Sequence, residues 1–220
     1  MLGTTAGLRE RKKQQTRQRI ILEALDLCDA QGFEATTVEQ IANAADVSPR
    51  TINRYFDMKE DIVLGPIEDF GQAVGDALRE EPKTGNELRA LCDAFLRTVQ
   101  GSSVDSNNLL SFHRFQQMQR VMDSSPAVAA RVMDYSDTKS AAVAQALAER
   151  MDTEPGALSV RVIVATWQAL SHIAMENCRR LVISGDPVAA SAASREALLA
   201  AYSEFLRVCT PAAPPAQHDS

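Results

Sequence analysis

The side chains able to do chemistry in this sequence fall into two groups, and the first is marked by missing partners. His113 and His172 have no Glu three residues before them, so the Glu-x-x-His ligand pattern of di-iron helical bundles is absent. No H-E-x-x-H, glycine-rich phosphate loop or nucleophile elbow occurs. Cys28, Cys92, Cys178 and Cys209 are widely spaced with no C-x-x-C pair, and their apolar helical contexts predict buried, reduced thiols. The expectation is therefore no catalytic residue, no metal and no cofactor. The second group is Arg50, Thr51, Asn53 and Arg54, just after Ser48-Pro49. Arg can grip guanine O6 and N7 with two hydrogen bonds, and Asn can grip adenine N6 and N7. Upstream, Arg9, Arg11, Lys12, Lys13, Arg17 and Arg19 face a single acid, Glu10, for a local charge of +5. Arg11, Lys12, Lys13 and Arg17 are candidates for DNA backbone or minor-groove contacts.

These groups need helices to position them. Period-two alternation is nearly absent and apolar residues recur at three and four, so the expected class is all-α. A first helix is predicted from about Arg9 to Ala30, after a disordered tail over 1–8, with Gly32 as its left-handed stop and Phe33 packing behind. Thr37-x-x-Gln40 reads as a capping box opening a second helix that buries Val38, Ile41, Ala42 and Ala45. Ser48 is then an N-cap and Pro49 the first residue of a short third helix ending near Phe56. In that helix Ile52 and Phe56 face inward, while Arg50, Thr51, Asn53 and Arg54 lie on or near the outer side. Ser48 and Pro49 start a helix whose free N–H groups would favour a phosphate oxygen. Longer helices are expected at about 58–80 (kinked at Gly65-Pro66), 84–100, 107–122, 126–151, 156–184 and 187–208. The proline-rich 210–220 reads as a disordered tail.

Charge is distributed to suit. The chain of 220 residues has a net charge of −6, which taken whole disfavours polyanions. Residues 1–59 carry nine basic and eight acidic side chains, whereas the remainder carries 14 and 21. The acidity therefore belongs to the C-terminal part. The N-terminus is polar and basic rather than apolar, so no secretory signal is expected. The longest apolar stretch, 160–175, is interrupted by Arg161, Gln168 and His172 and falls short of the ~20 residues of a bilayer span. The expected setting is cytoplasmic, with no membrane partner.

The run 20–64, IILEALDLCDAQGFEATTVEQIANAADVSPRTINRYFDMKEDIVL, resembles the N-terminal domain of the TetR family of transcriptional regulators. The resemblance rests on the Gly32-Phe33 turn, Thr37 with Val38 and Ile41-Ala42, Val47-Ser48, Thr51, Tyr55-Phe56 and Lys59-Glu60. It implies a helix-turn-helix domain over 9–57 and phosphate contacts from Thr37, Tyr55 and Lys59. Two positions depart from the family pattern. Asp46 stands where Gly is usual, and Asp tolerates the left-handed conformation better than most residues. Asn53 stands where an aromatic is usual, which makes it a candidate specificity residue, or else a phosphate contact.

Residues 58–209 are expected to form a helical effector-binding and dimerisation domain. The resemblance implies a four-helix dimer interface from the last two helices, with Leu181, Leu198, Tyr202 and Phe205 on it. A monomeric bundle hiding the same surface is the alternative. Phe95, Phe112, Phe115 and Met118 are candidate walls of an effector pocket, with Met122, Tyr135, Trp167 and Met175. The C-terminal part also resembles the acyl-CoA-like ligand-binding branch of the family, which implies an acyl-CoA or other lipophilic effector. The function so implied is a homodimeric repressor released from a palindromic double-stranded DNA operator by that effector. An activator, an effector-less DNA-binding protein, or a helical small-molecule carrier with a vestigial DNA domain are the competing readings.

Overall fold

The computed structural model describes residues 3–101, 107–134 and 136–209. Helix is the regular structure throughout these residues, with no strand among them. The elements are α1 (Gly3–Gln31), α2 (Val38–Ala44), α3 (Pro49–Tyr55), α4 (Lys59–Val63), α5 (Gly65–Glu80) and α6 (Glu87–Gln100). They are followed by α7 (Phe112–Ser124), α8 (Pro126–Asp134), α9 (Ser136–Met151), α10 (Leu158–Ser184) and α11 (Pro187–Cys209). α1 starts upstream of the expected Arg9, and the expected 58–80 helix is two helices meeting at Leu64. The expected helix 126–151 is likewise α8 and α9. Tyr135, between them, and the predicted tail 210–220 lie outside the described residues.

Local chemistry accounts for the tight head formed by α1–α4. Gly32 takes φ +88°, and its N–H donates to Cys28 O at 2.9 Å, ending α1. Thr37 Oγ1 accepts from Gln40 N while Gln40 Oε1 accepts from Thr37 N, the reciprocal capping box read in the sequence. Asp46 adopts φ +52°, so the α2–α3 turn keeps its left-handed residue without glycine. Ser48 Oγ accepts from Thr51 N at 3.1 Å and Pro49 opens α3. Ile21, Leu25, Ile41, Ile52 and Phe56 bury together beneath these turns.

The bundle is built on close crossings. Gly75 of α5 faces Ala142 of α9 so tightly that a Cβ there would lie 2.9 Å from Ala142 O. Arg150, buried at the end of α9, donates to Leu78 O (2.9 Å), Glu81 O and Pro82 O (3.0 Å), and pairs with Glu87 at 2.6 Å. It thus supplies donors to carbonyls at the end of α5 that the helix cannot satisfy itself. α10 is long and apolar enough to cross a membrane by length and composition alone. It packs along α11, burying Leu170, Ala174 and Cys178 with Leu198 and Tyr202 on that side.

Head and bundle are not separated by a packing boundary. Leu109, Met118, Val121 and Val128, all beyond residue 100, belong to the same apolar cluster as Ile20, Ile52 and Leu64. Polar ties reinforce it. Arg114 pairs with Asp26 and also donates to Gln117, whose Nε2 donates to the same Asp26 carboxylate at 2.9 Å. Arg120 forks onto Asp29 at 2.7 and 2.6 Å, and Arg131 onto Asp61 at 2.8 and 3.3 Å.

Candidate nucleic-acid interface and bundle cavity

α3 has two sides. Ile52 and Phe56 are buried in the head, whereas Pro49, Arg50, Asn53 and Arg54 form an exposed stripe at i, i+1, i+4 and i+5. Arg50 and Asn53 are exposed and stand about one turn apart. Arg54 lies with its guanidinium 5.2 Å from the Tyr55 ring centre, and Tyr55 is half-buried. Thr51 is also half-buried and its hydroxyl is 2.9 Å from that of Ser48, so both are engaged in the N-cap. Thr37 is exposed at the start of α2. Arg9, Arg11, Lys12 and Lys13 are exposed along the N-terminal part of α1, extending the basic surface.

Two predicted phosphate ligands are reassigned. Arg17 is half-buried, with Nη1 donating to Asp69 Oδ2 at 3.0 Å and Oδ1 at 3.2 Å and Nη2 paired with Glu68, so it ties α1 to α5. Its guanidinium also lies 5.7 Å from the Phe56 ring centre. Burial pushes the Asp69 carboxyl above its ordinary value, against the opposing pull of Arg17. Lys59 Nζ donates to Phe33 O and Thr36 O, both at 2.8 Å, and sits 4.0 Å from the Phe33 ring centre. It closes the α1–α2 corner from beneath. A charged side chain at a surface-facing sequence position can always be captured by a carbonyl pair or carboxylate brought in from afar, and nothing local in the sequence signals that.

The bundle encloses a cavity of about 330 Å³. Phe95, Phe112, Phe115, Met118, Met122, Trp167 and Met175 all stand on its wall, with α5 adding Pro66, Ile67, Phe70 and Val74. Phe70, Phe95 and Trp167 form an edge-to-face series with centroid separations of 5.2 Å at each step. Leu198 also lines the cavity, and Tyr202 is buried against Cys92 and Leu170. Those two belong to the interior of the single chain and not to a dimer face, because α11 turns that stripe toward α6 and α10. Phe205 is half-buried in the same cluster, and Leu181 is 50% exposed. Leu181 joins Leu158, Val162, Ile173, Val188, Leu199, Leu206 and Val208 as the exposed large apolar side chains of α10 and α11.

Cys28 and Cys92 are held above the ordinary thiol value by burial, Cys92 at about 11, and Cys178 is buried too. Cys209 departs from the expectation and is exposed. Among the described residues no group of three or more His, Cys, Asp or Glu side chains is placed to hold a metal ion.

A capped two-helix turn presenting Arg and Asn, a basic first helix and an all-helical bundle define a helix-turn-helix DNA-binding protein. Residues 20–65 match the family of bacterial regulatory proteins, tetR family. The chain is 36% identical over 169 residues to the HTH-type transcriptional regulator TcmR of Streptomyces glaucescens, covering 76% of this chain and 74% of that one. It belongs to the TetR family of transcriptional regulators. Among solved structures it is similar to Thermus thermophilus FadR, a TetR-family repressor in complex with lauroyl-CoA (18% identity, 92% of this chain, 100% of that one, TM-score 0.48). A putative TetR-family regulator from Mesorhizobium loti also matches (16% identity, 89% and 97%, TM-score 0.48).

Proposed function

We propose that this TetR-family regulator is a homodimeric, effector-controlled repressor that acts in the cytoplasm on a near-palindromic operator. The observation that carries the proposal is the placement of α5. One of its faces supplies Pro66, Ile67, Phe70 and Val74 to the cavity, and its start abuts α4 and the head. A ligand that fills the cavity therefore bears on a helix that follows directly from the head. Gly65 packs on the Ile21 side chain so closely that any Cβ there would displace it, so a shift of α5 is felt directly by α1. Release follows if the liganded arrangement holds the two recognition helices at a separation that does not match successive major grooves.

The apolar outer faces of α10 and α11 support dimerisation, since isolated apolar side chains are ordinary but an extended row along two adjacent helices needs a cover. Base reading is assigned to Arg50 and Asn53, with Thr37, Tyr55 and the α1 residues Arg11, Lys12 and Lys13 serving the backbone. Arg50→Ala and Asn53→Ala each cost about 1–3 kcal/mol of specific binding if they make bidentate base contacts. Fluorescence anisotropy on the regulator's own promoter fragment, against scrambled competitor, measures this. Unchanged specific affinity in both variants overturns the assignment of readers.

A further inference from the structure

The wall of the cavity carries no Lys, Arg, Asp or Glu among the described residues. Among the described residues, three charged side chains near it are committed elsewhere. Arg114 turns to Asp26 and Gln117, Arg131 to Asp61, and Asp69 to Arg17. Arg195, next to Ser194 on α11, is not part of the wall, although its buried Nε has no hydrogen-bond partner among the described residues. Among the described residues, the side chain on it able to become cationic is His172, which is 75% exposed and lies 3.6 Å from the Glu176 carboxylate.

Polar side chains on the wall are few: Ser111 caps α7, Ser194 donates to Ala190 O, Gln119 stands on α7, and Ser140, Gln168 and Ser171 meet at one corner. On α10, Gln168 and Ser171 stand one turn apart beside Trp167, and Gln168 Nε2 donates to Ser140 Oγ of α9 at 2.7 Å. Ser171 Oγ is buried and has no hydrogen-bond partner among the described residues. A buried hydroxyl left unpaired is costly, and the open space beside it is the cavity. The remaining walls are dominated by aromatic rings, methionines and aliphatic side chains.

We infer that the effector is an uncharged, mainly apolar molecule whose hydrogen-bonding group meets the Ser171 hydroxyl, and that the cavity excludes carboxylates, sulfonates and phosphates. The inference rests on reading this cavity as the effector site. An anion brought inside loses its hydration with no opposite charge to offset the loss. A fatty-acid carboxylate or the phosphates of an acyl-CoA have no cation to meet among the described residues of this wall, so an acyl chain is accepted with its charged end outside. The volume of about 330 Å³ lies near the lower end of small-molecule pockets and suits a compact ligand.

The test uses two probes with the same anilinonaphthalene skeleton, neutral N-phenyl-1-naphthylamine and anionic 8-anilino-1-naphthalenesulfonate. Trp167 is the chain's single tryptophan and lies on the wall, so its quenching by the probe reports occupancy. The expected result is saturable quenching by the neutral probe, with the sulfonate weaker by about tenfold or more. Ser171→Ala weakens the neutral probe, and Gln168→Lys, which sets an ammonium on the wall, strengthens the sulfonate by about tenfold. Ser140→Lys serves from the facing helix if Gln168→Lys does not fold. Equal affinity for the two probes in the native protein, or no gain for the sulfonate in a folded lysine variant, overturns the neutral-ligand assignment while leaving the cavity as the effector site. Quenching by neither probe overturns that reading of the cavity and the assignment with it.

Discussion

Arg17→Ala separates a structural arginine from a DNA-binding one. In the structure Arg17 has a side chain 14% exposed and holds Asp69, 26% exposed, by two hydrogen bonds of 3.0 and 3.2 Å. Glu68 is 48% exposed, and water screens most of its share. Truncation strips Asp69 of both hydrogen bonds from Arg17 Nη1 in a place where burial already disfavours its charge, and it also removes the guanidinium from the Phe56 ring. A charge-assisted bond is worth about 1.5–3 kcal/mol when buried, and partial access of water to Asp69 brings the total loss to about 2 kcal/mol. For a chain of this size that lowers the melting temperature by roughly 4–8 °C. The same variant should leave the slope of log K against log salt for DNA binding unchanged. Lys12→Ala or Lys13→Ala should do the reverse, reducing the slope by about 0.9 for each phosphate no longer neutralised, with little change in melting. Thermal unfolding followed by circular dichroism, and anisotropy titrations across a salt series, measure the two quantities. If Arg17→Ala reduced the slope by about 0.9 and melted normally, the reassignment of Arg17 to the α1–α5 junction would be wrong.

Three further outcomes follow from the packing and the titrating groups. Gly75→Ala drives a methyl against Ala142 O and should destabilise the α5–α9 crossing by about 1–3 kcal/mol in urea unfolding; a neutral result would mean that the helices part readily. For Asp26, burial raises the carboxyl pKa but the hydrogen bonds and charge of Arg114, with Gln117, outweigh it and hold the group below 3.8. The unfolded chain then takes up the proton first on acidification, so this bridge contributes fully above 3.8 and its contribution is lost as the pH falls through the depressed value. The stability gap between wild type and Asp26→Asn should accordingly be widest near neutrality and close in acid, and a gap constant with pH would contradict the bridge. Finally, Ellman's reagent should titrate Cys209 quickly in the native protein and Cys28, Cys92 and Cys178 only after denaturation, since burial holds those thiols away from reagent; fast reaction of a second thiol would contradict the packing.

Most of the fold was legible because its signals are local. The Gly32 stop, the Thr37–Gln40 box and the Ser48-Pro49 start are each decided within four residues, and each forms as its spacing requires. The aromatic and methionine wall was readable by composition, since Phe112, Phe115, Met118 and Met122 share one face of α7. What escaped was set by contacts between distant parts of the chain. Lys59 and Arg17 looked like surface cations because the carbonyls of Phe33 and Thr36 and the carboxylate of Asp69 come to them only through folding. Leu198 and Tyr202 share an apolar face with nothing in their spacing to say whether it meets the same chain or another. The forks from Arg120 to Asp29 and Arg131 to Asp61 span 91 and 70 residues, and no periodicity reports such pairs.

The apolar cluster that joins Ile20, Ile52 and Leu64 to Met118, Val121 and Val128 bears on how such a protein can be taken apart. A reader head cut after α4 would bare the patch that α7 and α8 cover, along with Asp29 and Asp61 stripped of their arginines. The smallest transplantable reader therefore includes α7 and α8. Exchanging operator specificity between relatives would require either replacing the few outward residues of α3 in place or moving the head together with the helices that roof it.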